Sequence, residues 1–191
     1  KVDKTLGVAL GSGVTTNPMQ MAQAYSHFGI PIVQIKGTDF NLWGDHFHPI
    51  LVLLGPVYAV FPSPLTLLVV QNFMIAASVY MMVRFTQRAC ALSNTKPEPA
   101  GTLVGVLLGA AFALSYGVQQ AVAAQFHEVA FALPFLCGAL GNLVLAGRIN
   151  ADERSRYIIR ACLWAAPLAF VKEDMGVTAA MVGIVAFVRT G

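Results

Sequence analysis

Three short clusters hold most of the side chains in this sequence that could transfer protons or bind a charged ligand. They are Asp45-His46-Phe47-His48, His127-Glu128 and Lys172-Glu173-Asp174. Carboxylates and imidazoles act as general acids and bases, and the ammonium group of a lysine binds phosphate as a point charge. Of the four histidines in the chain, only His27 lies outside the clusters. The clusters are therefore the candidate functional residues of this chain.

The first cluster allows three interpretations. In an extended segment His46 and His48 lie on one face, a geometry that suits a metal ion. Asp45 beside them fits a catalytic or substrate-binding role, because a carboxylate can act as a general base. The plainest alternative is a loop at the membrane interface whose polar side chains hydrogen-bond to backbone groups.

The other two clusters also have a structural interpretation beside a functional one. Glu128 precedes an apolar segment, where an acidic residue interacts favourably with the positive end of a helix dipole. Lys172 with Glu173 and Asp174 forms a self-neutralising group that could do no more than stabilise a break in a helix. Alternatively, Lys172 binds a phosphate while the two carboxylates serve as acid, base or metal ligands.

The composition places these clusters in a membrane protein. The chain has 191 residues, of which 57% are apolar and 11% charged, and its mean hydropathy is +0.67. Soluble domains contain about 25% charged residues, so this composition excludes a soluble or disordered protein. A formal net charge of +3 is too small for a nucleic-acid-binding surface. Three cysteines without a paired motif predict neither a disulfide framework nor a zinc site.

The apolar runs predict an all-α, polytopic membrane bundle with four to five membrane helices, one of them broken. Residues 49–83 carry no charge, and Pro62-Ser63-Pro64 divides them into a half-length interfacial helix at 49–61 and a span at 64–83. Further spans are predicted at 101–118 and 129–147. The last two pieces, 161–171 and 175–188, are too short alone, and the charges between them predict a broken helix.

The distribution of basic residues predicts which side of the membrane each cluster faces. The segments 84–99 and 148–160 carry seven of the twelve basic residues and are interpreted as cytoplasmic loops. All three polar clusters then face the extracytoplasmic side, in a shared polar cavity. Residues 1–48 are predicted to be an extracytoplasmic segment with a short amphipathic helix at 19–28, and residues 49–191 the transmembrane region. The chain begins with Lys1 and ends directly after an apolar run, so a fragment of a longer protein is expected.

Four motifs, in order, resemble the DUF2079 family of predicted bacterial membrane proteins, in an actinobacterial-like version. They lie at residues 41–50 with Gly44-Asp45-His46-Phe47, at 61–68 with Phe61-Pro62-Ser63-Pro64, at 125–127, and at 171–174. The resemblance covers residues 21–189. The family is grouped with the GT-C superfamily of integral-membrane glycosyltransferases. The resemblance thus implies transfer of a sugar from a polyprenyl-phosphate donor on the extracytoplasmic side of the bacterial plasma (inner) membrane.

The resemblance also implies roles for individual residues. The implied catalytic residues are Asp45, Glu173 and Asp174, and the implied substrate-binding residues are His46, His48, His127, Glu128 and Lys172. His48 stands where the family more usually has Ser, and Glu128 where it more usually has Pro. The family's upstream acidic motif has no counterpart in residues 13–19, which contain no carboxylate, and the family's first span is also missing. Either Asp45 acts as the base or the fragment lacks one.

The predicted partners follow from this hypothesis. They are the lipid bilayer, a polyprenyl-phosphate-linked sugar donor and a cell-envelope glycan or lipid acceptor, and a divalent cation is the one cofactor suggested. No nucleic acid is expected. Two other classes fit the same residues: a transporter or flippase whose substrate site is the broken helix, and a non-catalytic membrane scaffold.

Overall fold

A computed structural model describes residues 16–33, 40–41, 44, 47–92 and 99–190. Asp45 and His46 lie outside these residues, as does the segment 93–98 of the predicted basic loop. Two pairs of residues form a short antiparallel ladder, in which β1 (Ile32–Val33) pairs with β2 (Phe40–Asn41). Nearly all the rest of the described chain is helical.

The α-helices, in chain order, are α1 (Thr16–Ser26), α2 (Leu54–Val60), α3 (Pro64–Leu92), α4 (Ala100–Ala113), α5 (Tyr116–Ala123), α6 (Ala132–Ala146), α7 (Ala151–Ala165) and α8 (Met175–Thr190). Three 3₁₀ turns lead into or out of them, at Pro49–Leu53, Glu128–Phe131 and Ala166–Phe170. The prediction of an all-α fold is confirmed.

Two of the described helices are long and apolar enough to cross a membrane, α3 and the continuous helix Glu128–Ala146. The pair α4 and α5 adds a third crossing if its 54° bend is one broken span. Shorter apolar helices at Pro49–Val60 and Met175–Arg189 complete the set. The first of these is the predicted half-length helix, which ends at the Pro62-Ser63-Pro64 motif because proline cannot continue a helix.

Small residues allow α4 to approach α3 closely. Gly101, Gly105 and Gly109 form a buried stripe on α4, spaced one helical turn apart. A methyl group added at Gly105 would lie 2.6 Å from the side chain of Gln87 in α3, and one at Gly109 would collide with Val83. Without a hydrophobic drive between membrane helices, such close backbone packing supplies much of the association energy.

The prediction of loops at 84–99 and 148–160 is wrong for most of their length, because most of these residues are helical. Residues 84–92 are the last turns of α3, and residues 151–160 are the first turns of α7. Arginine and glutamate are strong helix formers, and apolar Tyr157, Ile158 and Ala161 give α7 a buried face. Asp152 and Glu153 lie in the first turn of α7, where the helix dipole favours acidic residues.

Helices α3, α6 and α8 run in one direction and α7 runs in the opposite direction, so the bundle has two chemically different ends. At one end, Arg148 donates a hydrogen bond to the carbonyl oxygen of Ala89 at 3.2 Å, and Arg189 donates one to that of Leu143 at 2.9 Å. This basic end gathers the carboxyl termini of α3, α6 and α8 with the amino terminus of α7. The opposite end gathers the start of α3, the turn at Glu128 and the junction of α7 with α8.

The short helix α1 packs on α2 and thereby holds the segment that precedes the first span. A methyl group at Gly55 of α2 would lie 2.7 Å from the carbonyl oxygen of Tyr25, so this contact requires glycine. Met21 and Leu51 are almost fully buried beside it. The packing fixes the backbone at residues 47–54 against the bundle.

Candidate functional site

The last apolar region is interrupted at the third polar cluster. Helix α7 tightens into the 3₁₀ turn Ala166–Phe170, which has proline in its first turn, and α8 starts only at Met175. The backbone N–H of Met175 bonds to the carbonyl of Lys172 at 3.1 Å, which closes a turn over the charged residues. Val171 before them is fully buried. The break anchors Lys172, Glu173 and Asp174 to the bundle core.

The first cluster meets the third directly. The backbone N–H of Phe47 donates a hydrogen bond to Oε2 of Glu173 at 3.1 Å, across 126 positions of sequence. His48 follows Phe47, is buried, and occupies the N-cap position of the turn Pro49–Leu53. The neighbours of Phe47 in sequence are His46 and His48, so the carboxylate of Glu173 lies beside this cluster.

The second cluster also contacts the third. Oε1 of Glu128 lies 3.9 Å from Nζ of Lys172, and Oε2 of Glu128 lies 3.7 Å from Nδ1 of His127. The side chains of Glu128 and Lys172 are only 15% and 24% exposed, whereas that of His127 is 61% exposed. The ion pair is therefore shielded from water more than a surface pair, and the imidazole faces outward.

A residue that the sequence analysis did not single out holds the second cluster in place. Gln71 of α3 is 1% exposed, and its Oε1 accepts the backbone N–H of His127 at 2.7 Å. Its Nε2 donates to the carbonyl oxygen of Ala121 at 2.8 Å. A glutamine inside an otherwise apolar span was the available signal, because polar groups at that depth need partners.

The structure thus brings four of the predicted site residues into one group, formed by His127, Glu128, Lys172 and Glu173. Asp174 adjoins them and is exposed, and His48 lies nearby but buried. Asp45 and His46 lie outside the described residues. Within the described part of the chain, no three His, Cys, Asp or Glu side chains are placed to share a metal ion.

The arrangement combines one cation with several carboxylates at a polar end of an apolar bundle. Lys172 can bind an anionic group, and Glu173 and Asp174 can accept protons or hydrogen-bond to hydroxyl groups. An apolar cavity of about 130 Å³ opens directly before His127. Its walls are Met19, Pro64, Leu67, Leu68 and residues 123–126. The charged group of an amphiphilic ligand could bind at Lys172, and its apolar tail could enter this cavity.

Comparison with known proteins gives a family match over most of the chain and matches to two curated proteins over a short stretch. A stretch of 28 residues is 79% identical to penicillin-binding protein 2a of Streptococcus pneumoniae serotype 2 (strain D39 / NCTC 7466), and equally to that of strain ATCC BAA-255 / R6. It covers 15% of this chain and 4% of that protein. No solved structure matches the chain. The family model of predicted membrane proteins named DUF2079 matches residues 19–191, and the chain therefore belongs to the DUF2079 family.

Proposed function

We propose that this protein is a membrane glycosyltransferase that takes a sugar from a polyprenyl-phosphate donor on the extracytoplasmic face of the bacterial inner membrane. The observation that carries the proposal is the contact of Glu173 with Phe47 and of Lys172 with Glu128. These two contacts join residues from three distant parts of the chain at one end of the bundle. Charged groups near a membrane are costly, and their gathering around a helix break is typical of a functional site.

The proposed reaction is a direct displacement. The hydroxyl oxygen of the acceptor attacks the anomeric carbon of the sugar, and the bond from that carbon to the phosphate oxygen breaks. Asp45 takes the hydroxyl proton, and polyprenyl phosphate leaves with the electron pair of the broken bond. Lys172 balances the charge on the departing phosphate, and such electrostatic stabilisation is the largest contribution in many enzymes.

The remaining residues position the two substrates. Glu173 and Asp174 hydrogen-bond to acceptor hydroxyl groups or hold a divalent cation. His127 joins Lys172 in binding the donor phosphate, and Glu128 pairs with Lys172 until the donor replaces it. We assign His46 and His48, the sequence neighbours of Phe47, to binding of the sugar. The apolar cavity before His127 suits the first part of the polyprenyl chain, since its walls are largely hydrocarbon.

The distribution of arginines supports the assignment of the candidate site to one side of the membrane. Arg84, Arg88, Arg148 and Arg160 lie at the basic end, opposite the candidate site. The positive-inside rule assigns such an end to the cytoplasm. The candidate site then faces the extracytoplasmic side, where lipid-linked sugars serve as donors.

A transfer assay tests this function. Full-length protein in sealed vesicles receives a labelled polyprenyl-phosphate sugar, and label in the acceptor fraction is measured. Loss of the base in Asp45→Asn is expected to lower the rate by roughly 100-fold or more. Asp152→Asn, in the first turn of α7 at the basic end, is the matched control and should transfer normally. Absence of transfer by the wild type, or equal rates for Asp45→Asn and wild type, would sink the proposal.

A transporter or flippase is the second candidate, and the broken helix favours it. Breaks such as that between α7 and α8 bind substrates in many transporters, although there they occur as a related pair. Accumulation of an unmodified lipid-linked sugar in vesicles, without covalent transfer, would identify this function instead.

A further inference from the structure

At the basic end, two arginines flank one aromatic ring. The guanidinium carbon of Arg88 in α3 lies 5.7 Å from the ring centroid of Tyr157, and that of Arg160 in α7 lies 5.6 Å from it. Tyr157 is buried, whereas both arginines are exposed. Among the residues that the structure describes, no carboxylate forms an ion pair with either arginine. Both guanidinium groups therefore lie near one ring, and neither is neutralised by a carboxylate of the described residues.

A groove adjoins this pair on the surface of α3. Its volume is about 500 Å³, and its walls include the aromatic and apolar side chains of Tyr80, Met81 and Phe85 together with Arg84 and Arg88. Arg84 and Arg88 are one helical turn apart, so both point to the same side of α3. The groove therefore combines apolar side chains with two positive charges, and Arg88 lies toward the carboxyl end of α3.

The length of α3 places this groove across a membrane surface. Twenty residues of helix cover a hydrocarbon core about 30 Å thick, at about 1.5 Å per residue. Counted from Pro64, the hydrocarbon region ends near Val83. Arg84 and Arg88 then lie at the level of the lipid headgroups, and Tyr80 and Met81 lie at the level of the acyl chains.

We propose that this groove is a binding site for one anionic phospholipid, independent of the proposed catalytic function. Arg84 and Arg88, which line the groove, bind the headgroup phosphate. Arg160, which lies over the same Tyr157 ring as Arg88, adds a third positive charge near it. One acyl chain lies along Tyr80, Met81 and Phe85. Basic pockets beside membrane helices are typical sites for anionic lipids, and the apolar wall distinguishes a lipid from a free phosphate ion.

Native mass spectrometry of the full-length protein tests the site. The protein is extracted from vesicles of equal parts phosphatidylglycerol and phosphatidylcholine, and retained lipids are counted. Wild type should retain phosphatidylglycerol in preference to phosphatidylcholine, and Arg88→Gln with Arg160→Gln should reduce that preference by roughly tenfold or more. The control, Arg154→Gln with Arg156→Gln, removes the same charge from exposed positions of α7 that neither line the groove nor contact Tyr157. It should retain the lipid.

Two further measurements make the result decisive. Met81→Trp fills the groove and leaves every arginine in place, so it should also release the lipid; it provides a test if the double arginine variant does not fold. Added glycerol phosphate should not displace the lipid, because it lacks an acyl chain. Equal loss in the two arginine pairs, no preference in the wild type, retention in Met81→Trp, or displacement by glycerol phosphate would each overturn the proposal.

Discussion

The side chain of Gln71 holds the backbone of His127 at the amino end of the second long membrane helix. The two atoms, Oε1 of Gln71 and the amide nitrogen of His127, are 2.7 Å apart, and the glutamine is 1% exposed. The same side chain donates to the carbonyl oxygen of Ala121. One buried amide thus links α3 to α5 and to the residue that precedes Glu128. Glu128 in turn contacts Lys172.

Replacing Gln71 with leucine is expected to destabilise the protein by at least about 2 kcal/mol, because an amide N–H and a carbonyl each lose a buried partner. Unfolding of the full-length protein in mixed detergent micelles measures the change. Gln119→Leu is the matched control, since exposed Gln119 also donates to a carbonyl, that of Ala113 at 2.8 Å. Its cost should stay within about 0.5 kcal/mol. Equal losses of stability in the two variants would show that the buried hydrogen bonds of Gln71 contribute no more than those of an exposed glutamine.

The part of the fold that follows from apolar run lengths could be predicted from the sequence. The half-length helix before Pro62-Ser63-Pro64 and the break around Glu173 both appear where charge and proline place them. The bond from Phe47 to Glu173 could not be predicted in detail, because it joins positions 126 residues apart. Local patterns do not specify such tertiary contacts.

The two basic segments show where a local rule fails. High charge density predicts loops at 84–99 and 148–160, but charge alone does not oppose helix formation. In α7 the arginines lie on exposed positions while Tyr157 and Ile158 face the core. The spacing of the apolar residues within 151–165 is that of a helix with one buried face, but the high charge of the segment favours the interpretation as a loop.

The pair of Glu128 and Lys172 should be energetically coupled. The charged atoms are 3.9 Å apart and both side chains are largely buried. A double-mutant cycle with Glu128→Gln and Lys172→Gln is expected to give a coupling free energy of about 1 kcal/mol. Additive effects of the two substitutions would mean that the pair contributes nothing to stability.

The same two substitutions should have opposite effects on binding of the donor. Glu128→Gln removes the carboxylate that competes with a phosphate for Lys172, so KM for the donor should fall. Lys172→Gln removes the cation, and KM should rise. A rise in KM for both variants would contradict the role of Lys172 as the phosphate-binding residue.

Close packing of α4 on α3 depends on glycine. Gly109→Ala places a methyl group against Val83, and destabilisation by about 1–3 kcal/mol is expected from overpacking. Gly183→Ala in α8 is the control, because a methyl group there meets no atom within 4 Å. That substitution should be neutral or slightly stabilising, since alanine favours a helix. Thermal unfolding of the two variants distinguishes a packing effect from a general intolerance of alanine.

Arg189 fastens the end of α8 to α6. Its Nη1 donates to the carbonyl oxygen of Leu143 at 2.9 Å, a charge-assisted hydrogen bond. Arg189→Met keeps much of the apolar stem and removes the donor, and a loss of about 1.5–3 kcal/mol is expected. Arg154→Met, at an exposed position of α7, should change stability by no more than about 0.5 kcal/mol. A similar Tm for Arg189→Met and wild type would contradict this account of the basic end.

The central claim is that the polar clusters form one extracytoplasmic site for sugar transfer, and sided vesicles test it most directly. Full-length protein is prepared in right-side-out and inverted membrane vesicles, and labelled polyprenyl-phosphate sugar with acceptor is added only from outside. Transfer is expected in right-side-out vesicles alone, with the rate reduced in Lys172→Gln and unchanged in Arg154→Gln. Transfer confined to inverted vesicles, or a rate in right-side-out vesicles that Lys172→Gln leaves unchanged, would contradict the account.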